Sequence, residues 1–324
     1  MGIIILLPVI PFFLTPQAGL RYREVNIFSD PEIVIRANQE MANDNWAWWS
    51  RIIHNRRWGY TRSFIRHYLD HFNPSFLFIK GDGNPKFSTQ DVGQLFLWEL
   101  PFLIWGVLLL LRKKMRHWWL IPFWLLIGIA PAATARETPH ALRIETTLPT
   151  WQILTALGVA GFLEWMKKKK IKKLLESSVI ILTFLLLLLN FVYFQHIYWR
   201  HYPIDYSNEW QHGYKSAIEF IKTVEDQYDE IWFTDKLGRP YVYFLFYLRE
   251  NPQKFWQEAK IEREVFGFVK VRSFDKYYFF DEIDFEREGK VLYVDKADSV
   301  PERAKVIRTF PLLNGEENLE AFEI

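Results

Sequence analysis

From Ser177 to Trp199 the chain runs without a single Asp, Glu, Lys or Arg and includes five consecutive leucines, Leu185–Leu189. A helix needs ~20 mostly apolar residues to cross the hydrocarbon of a bilayer. That one stretch therefore limits the folds open to the chain more than any other feature. Four further runs qualify or nearly do: Met1–Leu20, Val92–Leu111 with the single charge Glu99, Trp118–Ala135 and Thr146–Leu163. Any one of them could be the buried helix of a soluble protein. Five together, each flanked by basic or aromatic residues, predict a polytopic α-helical membrane protein of about five spans. The opening run also suggests a secretory signal. It has no basic start and no small-residue cleavage pattern, and it contains Pro8, Pro11 and Pro16, so a retained span is the expectation.

The charges divide the chain in two. Residues 1–200 carry 23 Lys and Arg against 13 Asp and Glu, whereas residues 201–324 carry 17 against 25. The long charge-free runs all fall in the first part. The expected organisation is a transmembrane helix at 1–20, an extracytoplasmic region at 21–91, four transmembrane helices within 92–199 and a small soluble α/β domain at 200–324. Apolar residues make up 50% of the chain, which excludes disorder. There is no cysteine, which excludes a disulfide scaffold, a thiolate metal site and a Cys nucleophile.

Short basic turns set the orientation. Arg112, Lys113, Lys114 and Arg116 fill one turn, and Lys167–Lys170, Lys172 and Lys173 fill another. Both are expected on the cytoplasmic side of the cytoplasmic membrane. Alternation then puts the N-terminus inside and residues 21–91, 136–145 and 200–324 outside. A lysine run beside a span is a topology signal, so no nucleic-acid partner is expected.

The region 21–91 should open with a helix at Pro31, capped by Ser29 or Asp30. Trp46, Trp48 and Trp49 read as a belt at headgroup level. Arg56, Arg57, Arg62, Arg66, His67 and His71 follow on a helical stretch that ends before Asn73-Pro74. Arg62 and Arg66 are i,i+4 neighbours, so one face is basic and could meet lipid phosphate. In Gly81-Asp82-Gly83-Asn84-Pro85, Asp82 is a candidate functional carboxylate, with turn capping as the plainer reading. The loop Ala135–Glu145 holds Arg136, Glu137, His140, Arg143 and Glu145. Arg suits bidentate phosphate contact, and His140 could bond the same group or carry a proton. The alternative for these residues is a structural pair, Arg136–Glu137 or Arg143–Glu145. Glu99, at the outer end of an apolar run, is either functional or paired.

In the tail, helices are expected at Asn208–Tyr228 and Tyr241–Leu248, the second stopped by Asn251-Pro252. Strands are expected at Glu230–Thr234, Val265–Phe274, Tyr277–Phe280, Lys290–Val294, Ala304–Phe310 and Asn318–Ile324. Asp235, just after the first strand, stands where α/β sites often lie, although a surface loop is the plainer reading.

Three segments resemble a known family. Tyr68–Asn84 (YLDHFNPSFLFIKGDGN), Gly93–Leu103 (GQLFLWELPFL) and Thr138–Arg143 (TPHALR, followed by Leu148-Pro149) are similar to segments of bacterial GT-C superfamily glycosyltransferases. The likeness is to the protein-mannosyltransferase and aminoarabinose-transferase group. It covers residues 1–200 and, loosely, the tail. The resemblance implies a membrane enzyme that moves a sugar from a polyprenyl-phosphate donor to an extracytoplasmic glycan, lipid or protein acceptor. It further implies that this chain corresponds to the C-terminal portion of such an enzyme, without the first outer loop that carries the family's catalytic acid. No catalytic residue is transferable for that reason. Arg136, His140 and Arg143 are the donor-phosphate candidates, with Arg62, Arg66, Asp82, Glu99 and Glu137 behind them. No cofactor is expected, and a divalent metal is compatible with the chemistry. The rival reading is a non-catalytic membrane-anchored module with an outer binding domain.

Overall fold

The computed structural model describes residues 10–13, 15–113, 116–264, 269–282 and 287–324. The chain divides into two compact units: Arg21–Trp199, and Arg200–Ile324 together with the opening twenty residues.

After a short helix at Leu20–Val25, the α-helices of Arg21–Trp199 are α1 (Pro31–Asn43), α2 (Ser50–Ile53), α3 (Arg56–Asp70), α4 (Leu100–Lys113), α5 (Leu120–Ala133), α6 (Thr150–Lys168) and α7, which begins at Lys173. Local chemistry explains the starts. Asp30 accepts a hydrogen bond from the Glu32 amide at 3.0 Å, and Pro31 occupies the first turn of α1. Asn55 accepts from the amides of Arg57 and Trp58 to open α3. Glycine lets α4 and α6 touch. A Cβ on Gly158 would lie 1.7 Å from the Phe102 carbonyl oxygen, and one on Gly106 would lie 1.9 Å from that of Leu154. Leu103, Leu110, Leu125, Ile129, Trp151 and Leu154 form the enclosed apolar cluster of this unit.

The expectation of about five spans is overturned. Among the described residues one helical stretch, Lys173–Asp205, is long and apolar enough to cross a membrane. It comprises α7 to His196, a π-helical turn Ile197–His201 and the short helix Tyr202–Asp205. The other runs are nearly or wholly free of charge without being continuous helix. Val92–Phe96 is irregular, with the Leu95 amide donating to the Leu77 carbonyl at 2.7 Å, so α4 begins only at Leu100. α4 and α5 have 14 residues each. At 1.5 Å per residue that is about 21 Å, short of the ~30 Å hydrocarbon thickness. Thr146 and Thr147 belong to a 3-10 turn, and α6 ends in charged residues, Glu164, Lys167 and Lys168. Of the run Met1–Leu20, residues 1–9 and 14 lie outside the described residues. The rest holds one helical turn at Ile10–Phe13 and 3-10 structure at Pro16–Gly19. The four transmembrane helices expected within 92–199 reduce to α7, and the inside–outside alternation built on five spans loses its basis.

The second unit is a seven-stranded mixed sheet with helices. The strands are β1 (Glu230–Thr234), β2 (Lys260–Arg263), β3 (Val269–Phe274), β4 (Tyr277–Phe280), β5 (Val291–Lys296), β6 (Lys305–Pro311) and β7 (Glu317–Glu323), in the order β2-β3-β4-β1-β5-β7-β6. β1 is central and pairs in parallel with β4 and β5, and the outer pairings are antiparallel. The helices are α8 (Tyr214–Val224), α9 (Tyr241–Leu248) and α10 (Pro252–Glu258). Tyr214, Ala217, Ile218 and Ile221 on α8 and Phe244 on α9 are enclosed against Ile231, Phe233, Leu292 and Val294 of the sheet. α8 is shorter than expected because Gly213, at φ 102°, turns the chain immediately before it, and 3-10 structure follows at Glu225–Gln227. Asn251-Pro252 ends one helix and also caps the next. The Asn251 side chain accepts from the Gln253 amide, which starts α10. Of the strand expected at Val265–Phe274, residues 265–268 lie outside the described residues.

Candidate functional site

The most promising cleft lies in Arg21–Trp199, between α1 and α3. It has a volume of about 370 Å³. Gly59 allows the close approach of the two helices, since a Cβ there would meet Ile33 at 2.8 Å. The floor is Ile27, Ile33 and Ala37, and the charged lining includes Asp30, Glu32, Arg36, Glu40, His54, Arg62, His67 and Arg136.

One wall is electrostatically self-sufficient. Arg36 Nε donates to Glu40 at 3.0 Å, and His54 Nδ1 lies 2.8 Å from the other Glu40 oxygen. The guanidinium of Arg36, with His54, holds the Glu40 carboxyl below its ordinary range. His54 Nε2 is also 3.4 Å from Asp44, which accepts from the Ser50 hydroxyl. The opposite wall is different. Arg62 is exposed and makes no ion pair or side-chain hydrogen bond among the described residues. His67 Nδ1 is buried with no hydrogen-bond partner among them. The arrangement leaves donors on α3 for a ligand, while of the two carboxylates on α1 Glu40 is occupied and Glu32 makes no ion pair among the described residues.

Arg136 reaches this cleft through structural bonds. Its guanidinium donates to the carbonyls of Asn26 at 3.1 Å and Ser29 at 2.8 Å, and its backbone amide donates to Val25 at 2.8 Å. The short bridge Asn26–Ala135 joins the same two segments. Two of the sequence candidates, Arg62 and Arg136, thus line one cleft. Its lining includes neither His140 nor Arg143.

His140 is buried in a second constellation. The Phe87 ring lies against it at 4.5 Å between centroids, and its Nδ1 is 3.6 Å from Asp82 Oδ2. Asp82 is buried as well. One oxygen accepts from the Asn84 amide at 2.9 Å, closing the turn, and the other accepts from the Ala141 amide at 2.7 Å. Asp82 therefore caps its turn and also pins the loop containing His140. The backbone amide of His140 donates to His71 Nε2 at 3.3 Å, and His71 Nδ1 donates to the His67 carbonyl at 2.8 Å. These bonds require a neutral His71, and burial lowers its pKa in agreement. Thr138 completes the tie by donating to Asp70 at 2.9 Å.

Arg143 donates to the Glu137 carbonyl at 2.8 Å and lies 3.9 Å from its carboxylate. This pairing differs from both structural pairs expected for the loop. Glu99 accepts from the Phe96 amide at 3.1 Å at the start of α4, and burial raises its pKa. Arg66 is exposed on α3 and does not line the cleft. Arg36 and Glu40 are i,i+4 neighbours on α1 and could have been found by that spacing, whereas His54 lies 14 positions past Glu40, a contact that no helical spacing announces. Among the described residues no group of three or more His, Asp or Glu side chains is placed to hold a metal ion.

In the sheet unit, Asp235 follows β1 at the C-terminal edge of the parallel strands and lies 2.9 Å from Lys270, which also meets Asp281 at 2.7 Å. The fully buried Asp295 is neutralised by Lys236 at 3.0 Å. These charges satisfy one another. A shallow groove near them is lined by Trp232, Tyr278, Lys260, Arg272, Asp281 and Glu282, with the Trp232 and Tyr278 rings stacked at 5.1 Å.

No protein-family model, curated protein or solved structure matches the chain.

Proposed function

We propose that this chain is a membrane-attached part of a glycosyltransferase that takes a sugar from a polyprenyl-phosphate donor and passes it to a glycan, lipid or protein acceptor. The carrying observation is the α1–α3 cleft, which joins Arg62, His67 and Arg136 on one site while Arg36 and His54 neutralise Glu40. A polyprenyl-phosphate sugar is already activated, because its phosphate leaves readily. The site then has to stabilise charge on the departing phosphate and accept a proton from the acceptor hydroxyl. Arg62 and His67 supply the donors for the phosphate. Asp30 caps α1 and Glu40 is engaged, which leaves Glu32 at the cleft as the carboxylate for the acceptor's proton. α7, extended to Asp205, crosses the cytoplasmic membrane, with its lysine-rich start on the cytoplasmic side.

The test is binding of a polyprenyl phosphate to the full chain in lipid nanodiscs. The reading predicts salt-sensitive binding that the matching polyprenol, lacking phosphate, does not show. Arg62→Ala should weaken it about tenfold, the size of one charge-assisted contact. Equal binding of phosphate and alcohol would overturn it.

A second reading is favoured by the groove beside Trp232. Trp232 itself is buried under Tyr278 and Arg287, but the half-buried Tyr278 ring, edged by Lys260, Arg272, Asp281 and Glu282, offers an aromatic surface to a sugar ring and charges to its hydroxyls. On that reading the chain is an anchored module with a glycan-binding sheet unit. Glycan binding that survives Arg62→Ala but is lost on Tyr278→Ala would favour it.

A further inference from the structure

From Asn45 to Leu69 the chain carries five arginines and no Asp or Glu. The same stretch exposes large apolar side chains. Trp48 is 77% exposed, Ile52 63%, Trp58 58% and Leu69 59%. Their placement is regular on α3, where Trp58, Ile65 and Leu69 fall at i, i+7 and i+11 and share one face with Arg62 and Arg66. α3 buries none of its 15 residues completely, although Gly59, Ser63 and His67 face the cleft. A water-facing helix would not gather Trp, Ile and Leu into one exposed stripe. A purely apolar partner would not call for arginines interleaved along it.

We propose that the surface formed by α2, the residues before it and the outer face of α3 lies in the headgroup layer of an anionic bilayer. Tryptophan places its ring at the boundary of headgroup and hydrocarbon while its N–H stays hydrated. Isoleucine and leucine enter the acyl boundary, and Arg51, Arg56, Arg57 and Arg66 meet lipid phosphates. Trp58 and Arg62 belong both to this surface and to the rim of the cleft. The cleft would therefore open at the level where a lipid-borne phosphate sits. The membrane contact itself does not depend on what the cleft binds.

The absence of cysteine makes the test direct. Single cysteines are introduced as Trp48→Cys, Ile52→Cys, Leu69→Cys and, as a water-exposed reference in the sheet unit, Glu302→Cys. Each full-length variant carries a nitroxide label in nanodiscs of phosphatidylcholine with or without phosphatidylglycerol. Collision rates with dissolved oxygen and with a water-soluble nickel chelate are then compared. In anionic discs the first three labels should meet the chelate at least about fivefold less often than the Glu302 label, as expected of side chains at the acyl boundary. Arg56→Gln with Arg57→Gln should reduce that protection. Labels as open to the chelate as the reference would overturn the proposal, as would protection identical in discs with and without anionic lipid. Dipolar broadening between labels on neighbouring copies would also overturn it, by showing that a second protein covers this face.

Discussion

The two units use apolar residues in opposite ways. In the sheet unit Ile218, Ile221, Ile231, Phe233, Phe244, Leu292, Val294 and Leu319 are wholly enclosed, and the helices lay one apolar stripe on the sheet. In Arg21–Trp199, α3 and α7 bury no residue completely, and α7 exposes Leu182, Phe184, Leu189 and Phe191. The first pattern is driven by water on the outside and apolar contacts within. The second leaves its apolar groups on the outside, where a lipid or protein partner is needed to cover them. The contrast shows that apolar content alone does not report burial. What matters is whether apolar positions recur on one side of an element or all round it.

Five substitutions, one of them read by titration, put that contrast to the test. Ile221→Ala removes a fully enclosed side chain from the sheet unit and should cost about 4 kcal/mol, read as faster amide exchange in β1. Leu189→Ala in α7, at a position 64% exposed, should leave protein stability within about 0.5 kcal/mol. A large loss at Leu189 would mean that α7 is packed by protein. Gly158→Ala forces a methyl into the Phe102 carbonyl and should cost about 3 kcal/mol, visible as a lower unfolding temperature of the full chain in nanodiscs.

Acidification should act through His71. Burial lowers its pKa, so the folded protein keeps it neutral while the unfolded chain takes up a proton near pH 6.5. The unfolded state then binds more protons, and stability is lost as pH falls below that value, by at most about 1.4 kcal/mol per pH unit from this group. His71→Gln should flatten the dependence of the unfolding temperature between pH 7.5 and about pH 5. An unchanged slope would remove His71 from the account. A modest loss is expected of Asn55→Ala, which deletes two capping contacts at α3. It should cost about 1 kcal/mol, with faster exchange confined to the first turn of that helix.

Much of the local structure was legible. Asp30 and Pro31 announce α1, and the apolar Glu230–Thr234 and aromatic Tyr241–Leu248 segments match β1 and α9 residue for residue. The short elements α10 and β2 were not. Pro252 reads as a stop when it is also a first helical residue, and β2 has a fully exposed pattern without apolar alternation. The span count failed for a related reason. Scarcity of charge between Val92 and Leu111, and its absence between Thr146 and Leu163, do not reveal that the backbone leaves the helix at Val92–Phe96 or in the 3-10 turn Leu142–Thr147. At the site, the basic face holding Arg62 could be read from i,i+4 spacing. The union of Arg62 with Arg136 could not, because it depends on a bridge between Asn26 and Ala135 more than a hundred residues apart. Asp82 and His140 meet through a contact between loops 59 residues apart, which no local pattern encodes.

The proposed function has Lys173–Asp205, the one described helical stretch long and apolar enough to cross a membrane, as its span, and it would put the sheet unit outside the cell. The most direct measurement is labelling of intact cells with a membrane-impermeant maleimide, using Asp226→Cys in the cysteine-free chain and, separately, Lys169→Cys. Cys at 226 should be labelled in intact cells, and Cys at 169 only after lysis. Labelling of both positions in intact cells, or of 169 alone, would contradict it.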